Sequence, residues 1–165
     1  MRVNKELQDK VEQDSYVIGN IVIDIVTNKT KELDNYITKV KKVIEEDDLT
    51  LDDLQRIMIR LCSYAYFITS EQELMGIRQD ISEAIREERY NNVYVNLTVG
   101  TVAKKTAEAS EAVKEETVVA LIYNRAYKIL KGKYEVTNRM IDAIKKIISA
   151  RIQTLQLGVK EWKMY

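Results

Sequence analysis

The sequence predicts a soluble, all-α protein whose long amphipathic helices form a helical hairpin or bundle, with a C-terminal helix that oligomerises. Three observations carry that expectation. None of the 165 residues is proline and only five are glycine, so the two strongest helix breakers are nearly missing. Apolar residues recur three and four positions apart through most of the chain, which is the helical period. Apolar residues make up 45% of the composition and charged residues 32%. That balance suits a folded domain and is too apolar for a disordered tail.

The first helix is expected to start near Val3. Its apolar positions are Leu7, Val11, Val17 or Ile18, Ile21 and Ile25, then Leu33, Ile37, Val40 and Ile44 beyond Asn28. Gly19, Asp14-Ser15 and Thr27-Asn28 are its weak points. The acidic run Glu45-Glu46-Asp47-Asp48 is a stop signal, after which Thr50 reads as an N-cap with Asp53 in a capping-box position. The second helix runs through Leu54, Ile57, Leu61, Tyr64 and Ile68. Thr69-Ser70 either caps a new helix or is absorbed, and Leu74, Ile77, Ile81 and Ile85 keep the period. The brief alternation in Tyr90–Asn96 has no partner strand and reads as the helix tail.

The expected division is an acidic helical region over 1–97, a hinge at 98–101, one long helix over 102–158 and a tail over 159–165. The seam of the last helix is Val119, Ile122, Ala126, Ile129, Lys133, Val136, Met140, Ala143, Ile147 and Ala150. These alternate three and four apart, the coiled-coil period, with charge only at Lys133. A flanking row of Leu130, Ile141, Ile144, Ile148, Ile152 and Leu155 widens the stripe towards burial among several helices. Val119, Ile122, Ile129, Val136, Met140, Ile144 and Ile147 are the candidate oligomerisation residues.

The net charge of zero hides a segregation. Residues 1–117 carry 16 basic and 23 acidic residues, net −7, and residues 118–165 carry 10 and 3, net +7. Such asymmetry marks a polyanion-binding segment, an acidic partner surface, or a head-to-tail contact between subunits, unless both halves simply solvate a long rod. The first residues hold no apolar signal segment, and no run is long enough to span a membrane. The expected location is therefore the cytoplasm. Cys62, the single cysteine, reads as a buried structural thiol.

With no histidine, histidine-dependent triads and histidine-containing metal sites are excluded, and no phosphate-binding loop can be built from glycines this scattered. Glu83 with Glu87, and Glu108 with Glu111 and Glu115, are the acidic sets that a magnesium-dependent nucleotide hydrolase would have to converge inside a bundle. Lys104, Lys105, Lys114, Arg86 and Arg89 lie among them, as on solvated faces. The expectation is no catalysis, no cofactor and no metal.

Positive charge interleaved with aromatics is the stronger signal. Arg125, Lys128, Lys131, Lys133, Arg139, Lys145, Lys146 and Arg151 can track phosphates, and Tyr127 and Tyr134, with Tyr123, can stack on unpaired bases. The competing reading makes each tyrosine a half-buried packing residue with its hydroxyl at the surface. No base-reading motif accompanies the charges, so the contact would be independent of sequence.

The same helix carries a family resemblance. Tyr127-Lys128-Ile129-Leu130, then Met140-Ile141-Asp142-Ala143-Ile144-Lys145-Lys146-Ile147-Ile148 and Arg151-Ile152, resembles the end of the UvsY-type recombination mediators of tailed phages. Residues 1–96 align with nothing residue by residue. The resemblance implies a noncatalytic accessory protein that binds single-stranded DNA, forms a ring-like homo-oligomer and helps load a phage or host recombinase onto DNA covered by single-strand binding protein. It would place Lys131, Lys133, Lys145, Lys146 and Arg151 near phosphates or interprotein carboxylates, and Ile129, Met140, Ile144 and Ile147 in the oligomer contact. The implied setting is a phage-infected or lysogenic bacterium. The alternative is a structural or scaffold helical oligomer acting through protein–protein contacts. A protein inhibitor or transcriptional accessory factor fits the same features.

Overall fold

The computed structural model describes residues 5–45 and 49–162. It is all-α, with four helices among the described residues: α1 (Lys5–Glu45), α2 (Leu51–Asn96), α3 (Val102–Ala112) and α4 (Lys114–Trp162). The expected start near Val3 and the acidic stop at 46–48 lie outside the described residues.

α1 runs through Asp14-Ser15, Gly19 and Thr27-Asn28 without a break; around Thr27-Asn28 the burial of Val26, Thr30 and Leu33 overrides weak local propensity. α2 opens on a reciprocal capping box. The Asp53 amide donates to Thr50 Oγ1 at 3.1 Å, and the Thr50 amide donates to Asp53 Oδ2 at 3.2 Å. Thr69-Ser70 starts no new helix. The Thr69 hydroxyl instead bonds back to the Ala65 carbonyl at 3.0 Å, a use of a hydroxyl that keeps the helix continuous. α2 then carries on to Asn96, taking in the alternating Tyr90–Asn96 stretch.

Residues 97–101 are not helical. Gly100 has φ +125°, a conformation that L side chains rarely adopt. Thr101 then caps α3, its hydroxyl accepting from the Lys104 amide at 3.4 Å. The single helix expected over 102–158 is in fact two. Val113 leaves the helical region at φ −111°, ψ 18°, and its side chain is buried, as is Ala109 one turn earlier. At its far end α4 passes Gly158 and continues to Trp162, since glycine weakens a helix without forbidding it.

The chain divides into two compact units, neither continuous in sequence: Met1–Asn28 with Glu71–Leu130, and Lys29–Ser70 with Lys131–Tyr165. The linear division at residue 97 follows the order of helices and not these packing units. In the first unit Val22 and Val26 of α1, Met75 of α2, and Ala126 and Leu130 of α4 form the core, with Ile18, Ile25, Ile122, Tyr123 and Tyr127 packed against it. Gly76 lets α2 come close to α4 here, because a Cβ at that position would stand 3.5 Å from the Tyr127 ring.

In the second unit, Leu33 and Val40 of α1, Leu54 through Ile68 of α2, and Ile141, Ile144 and Ile148 of α4 make the larger core. Leu61 is fully buried, and burying such a side chain contributes about 1.5–3 kcal/mol. Cys62 corrects an expectation: it is exposed. A helix turns about 100° per residue. With Leu61 and Ala65 pointing into the core, Cys62 is swung to the surface. No helix among the described residues is long and apolar enough to cross a membrane.

Candidate nucleic-acid interface

The candidate residues sit on α4, whose buried positions fix its orientation. Ala126, Leu130, Thr137, Ile141, Ile144 and Ile148 are all buried and define one face at helical spacing. Thr137 is satisfied there by donating to the Lys133 carbonyl at 2.8 Å. About 100° of rotation per residue puts Lys128, Arg139 and Lys146 on the opposite face, with Arg125 and Lys131 beside them and Lys145 on the flank of the core face. All six are exposed. The face is mixed: Glu135 and Asp142 are exposed on it, and Lys145 pairs with Asp142 at 3.3 Å.

Lys133 and Arg151 fall elsewhere. Both lie on the flank of the core face and are engaged within the second unit. Lys133 Nζ donates to Asp34 Oδ1 at 2.6 Å and to Thr30 Oγ1 at 2.8 Å. A guanidinium nitrogen of Arg151 donates to the Leu49 carbonyl. These cations close the bundle onto α1 and onto the segment before α2.

The tyrosines pack instead of forming an open stacking platform. Tyr127 and Tyr123 lie against the core of the first unit and Tyr134 against that of the second. The Arg78 guanidinium stands 5.8 Å from the Tyr123 ring centroid. Each tyrosine is half-buried, so its faces serve the bundle first.

The expected oligomer seam also splits. Ile144 is 4% exposed and belongs to the core of the second unit. Met140 packs against that core and Ile122 against the other. Val119 and Ile129 in the first unit, and Val136 and Ile147 in the second, stay between 40% and 52% exposed.

Sequence reasoning missed a basic cavity in the second unit. Lys39, Asp53, Arg56 and Arg60 line a volume of about 550 Å³ with Tyr36 and Leu49. Arg60 lies 5.7 Å from the Tyr36 ring centroid, and the Tyr64 ring centroid stands 5.4 Å from that of Tyr36. Burial raises the Tyr36 phenol above its ordinary value, with Arg60 opposing and Tyr64 adding to the rise. Arg56 and Arg60 are one turn apart in sequence, but only the packing of α1 on α2 brings Lys39 and Tyr36 to them.

Among the described residues no group of three or more potential ligands is placed to hold a metal ion. Several members of the acidic sets considered from sequence are instead met by nearby side chains, within one helix or, for Lys114 and Glu111, from the start of α4 to the end of α3. Lys104 pairs with Glu108 at 3.8 Å, Lys114 pairs with Glu111, and Gln79 donates to Glu83 at 3.1 Å. No family model matches the chain, and no curated protein or solved structure shows significant similarity to it.

Proposed function

We propose that this protein acts without catalysis, as an accessory factor that holds single-stranded nucleic acid along the outward face of α4. The observation that carries the reading is the exposure of Arg125, Lys128, Lys131, Arg139 and Lys146 on the side of α4 turned away from the buried positions, with Lys145 exposed at its edge. Such a row neutralises phosphates without reading bases. With its tyrosines packed in the bundle, affinity comes from charge more than from stacking, and binding is strongly salt-dependent. In the fuller form implied by the resemblance of the C-terminal helix, the bound strand is handed to a recombinase in competition with single-strand binding protein.

A second reading has its own observation. Leu74, Ile77, Ile81 and Ile85 of α2 are 37–55% exposed on one helix face, which suits a scaffold acting through protein–protein contacts.

Titration against fluorescent single- and double-stranded oligonucleotides at low and physiological salt tests the first reading. Salt-sensitive binding that prefers the single strand supports it, and no binding at low salt sinks it in favour of the scaffold.

A further inference from the structure

The basic cavity of the second unit plays no part in the function proposed above, and its floor and rim differ in chemistry. Val40 and Ile57 are buried and form the floor. Ile59 stands on the wall, 62% exposed. Lys39, Arg56 and Arg60 are exposed and make a cationic rim. The volume of about 550 Å³ falls within the range of small-molecule sites, roughly 300–1,000 Å³.

The rim cations converge without carboxylate partners. Lys39 comes from α1, and Arg56 and Arg60 lie one turn apart on α2. Among the described residues none of the three forms a salt bridge. Like charges one turn apart oppose helix stability, and an anion between them relieves that repulsion. The Arg60 guanidinium stands 5.7 Å from the Tyr36 ring centroid, and stacking of this kind leaves its N–H edge free to donate. Asp53 is the one carboxylate among the described lining residues, and its Oδ2 already accepts from the Thr50 amide at 3.2 Å and from the Thr50 hydroxyl. Burial keeps the Tyr36 phenol protonated, so that ring adds no negative charge. Three cations less Asp53 leave the lining at +2.

That balance selects a ligand. A phosphate monoester carries about −1.5 to −2 charge at neutral pH, and arginine forks hold its oxygens in pairs. A single carboxylate would leave part of the rim charge unmatched. The described lining contains no serine, threonine, asparagine or glutamine. The polar edges of a nucleobase or sugar would therefore go unpaired against the floor, which is costly. A hydrocarbon body gains by burial there.

We propose that the cavity between α1 and α2 binds a phosphate monoester with a hydrocarbon body, its phosphate on Lys39, Arg56 and Arg60 and its chain on Val40 and Ile57. The site is separate from the outward face of α4 and does not rest on the function proposed above.

Calorimetric titration of the full chain with octyl phosphate, inorganic phosphate and octanol tests it. Octyl phosphate, kept below micelle-forming concentration, should bind with one molecule per chain. Inorganic phosphate should bind at least about tenfold more weakly, because it forgoes the apolar floor. Octanol should not bind. Arg56→Gln/Arg60→Gln on α2 and Lys39→Gln on α1 should each stay folded and weaken octyl phosphate by about tenfold or more. Ile59→Gln should weaken octyl phosphate while leaving inorganic phosphate unchanged. Phosphatidylcholine vesicles with and without phosphatidic acid separate the two sources of such an ester. Sedimentation with the phosphatidic-acid vesicles that the double variant loses gives a membrane lipid, and octyl phosphate binding without vesicle binding gives a soluble ester. The proposal is overturned if octyl phosphate does not bind, if inorganic phosphate binds as tightly, or if the double variant binds as well as the parent. Displacement of octyl phosphate by a single-stranded oligonucleotide also overturns it, placing a nucleic-acid backbone in the cavity.

Discussion

Lys133 Nζ lies 2.6 Å from Asp34 Oδ1 and 2.8 Å from Thr30 Oγ1, so the one charge that interrupts the apolar seam of the C-terminal helix ties that helix to α1. The lysine side chain is 29% exposed and the aspartate 44%. At that exposure the pair is partly screened, and its contribution is of order 1 kcal/mol. Lys133→Met should lower stability in urea unfolding by about that amount, and Asp34→Asn in the same background should recover part of it. Nucleic-acid affinity should not change, since Lys133 faces α1.

The outward cations should behave differently. Lys128→Ala, Arg139→Ala and Lys146→Ala should leave the urea midpoint nearly unchanged. Each should reduce the slope of log affinity against log salt for single strands by about 0.7. Equal slopes for all three variants and the parent would show that the strand is held elsewhere.

Ile144 is a test of which apolar residues hold the chain and which hold its partners. It is 4% exposed within the core of the second unit. Ile144→Ala should cost about 2–5 kcal/mol of folding stability, measured by thermal or urea unfolding. Ile147→Ala, at 45% exposure, should cost far less stability and should weaken self-association.

The glycines split by environment. A Cβ at Gly19 or Gly132 would meet nothing within 4 Å. Gly19→Ala and Gly132→Ala should therefore each stabilise their helix by about 0.5–1 kcal/mol. Gly100 sits at φ +125°, and Gly100→Ala should destabilise the connection between α2 and α3. Circular dichroism melts of the three variants would separate the two behaviours.

Acid should loosen two local structures. The Thr50 hydroxyl, and then the Thr50 amide, hold the Asp53 carboxyl below its ordinary value. Glu116 is held low first by a hydrogen bond from its own backbone amide and then by Arg89. A carboxylate with a depressed folded value contributes stability that is present above the unfolded value, about pH 4, and is lost as pH falls through the folded one. Thermal midpoints should therefore fall as pH drops below about 4, and Asp53→Asn should flatten that dependence.

Much of the fold was legible because helical periodicity and capping are local. The spacing of Leu54, Ile57 and Leu61 marks a buried face, and Thr50 with Asp53 announces the start of α2, where both amides are found bonded. The break at Val113 was not legible, since the alanine-rich run around it favours helix. Cys62 was misplaced because its neighbours Leu61 and Ala65 define a core face that sequence shows only approximately. For the candidate interface, the basic character of α4 was plain. Which cations face outward was not, because Lys131 and Lys133 look alike until a partner such as Asp34 is in place.

The sequence by itself determined that the chain is helical, where α2 begins and where glycine opens the connection after it, since these depend on hydrogen bonds and dihedral preferences within a few residues. Tertiary structure decided how each charge and ring is used. Lys133, Arg151, Tyr127 and Tyr134 are drawn into the bundle while Arg139 and Lys146 are left outside. The reason is rotational: a shift of one residue turns a side chain about 100° around its helix, and only the packing of distant segments fixes which direction is inside.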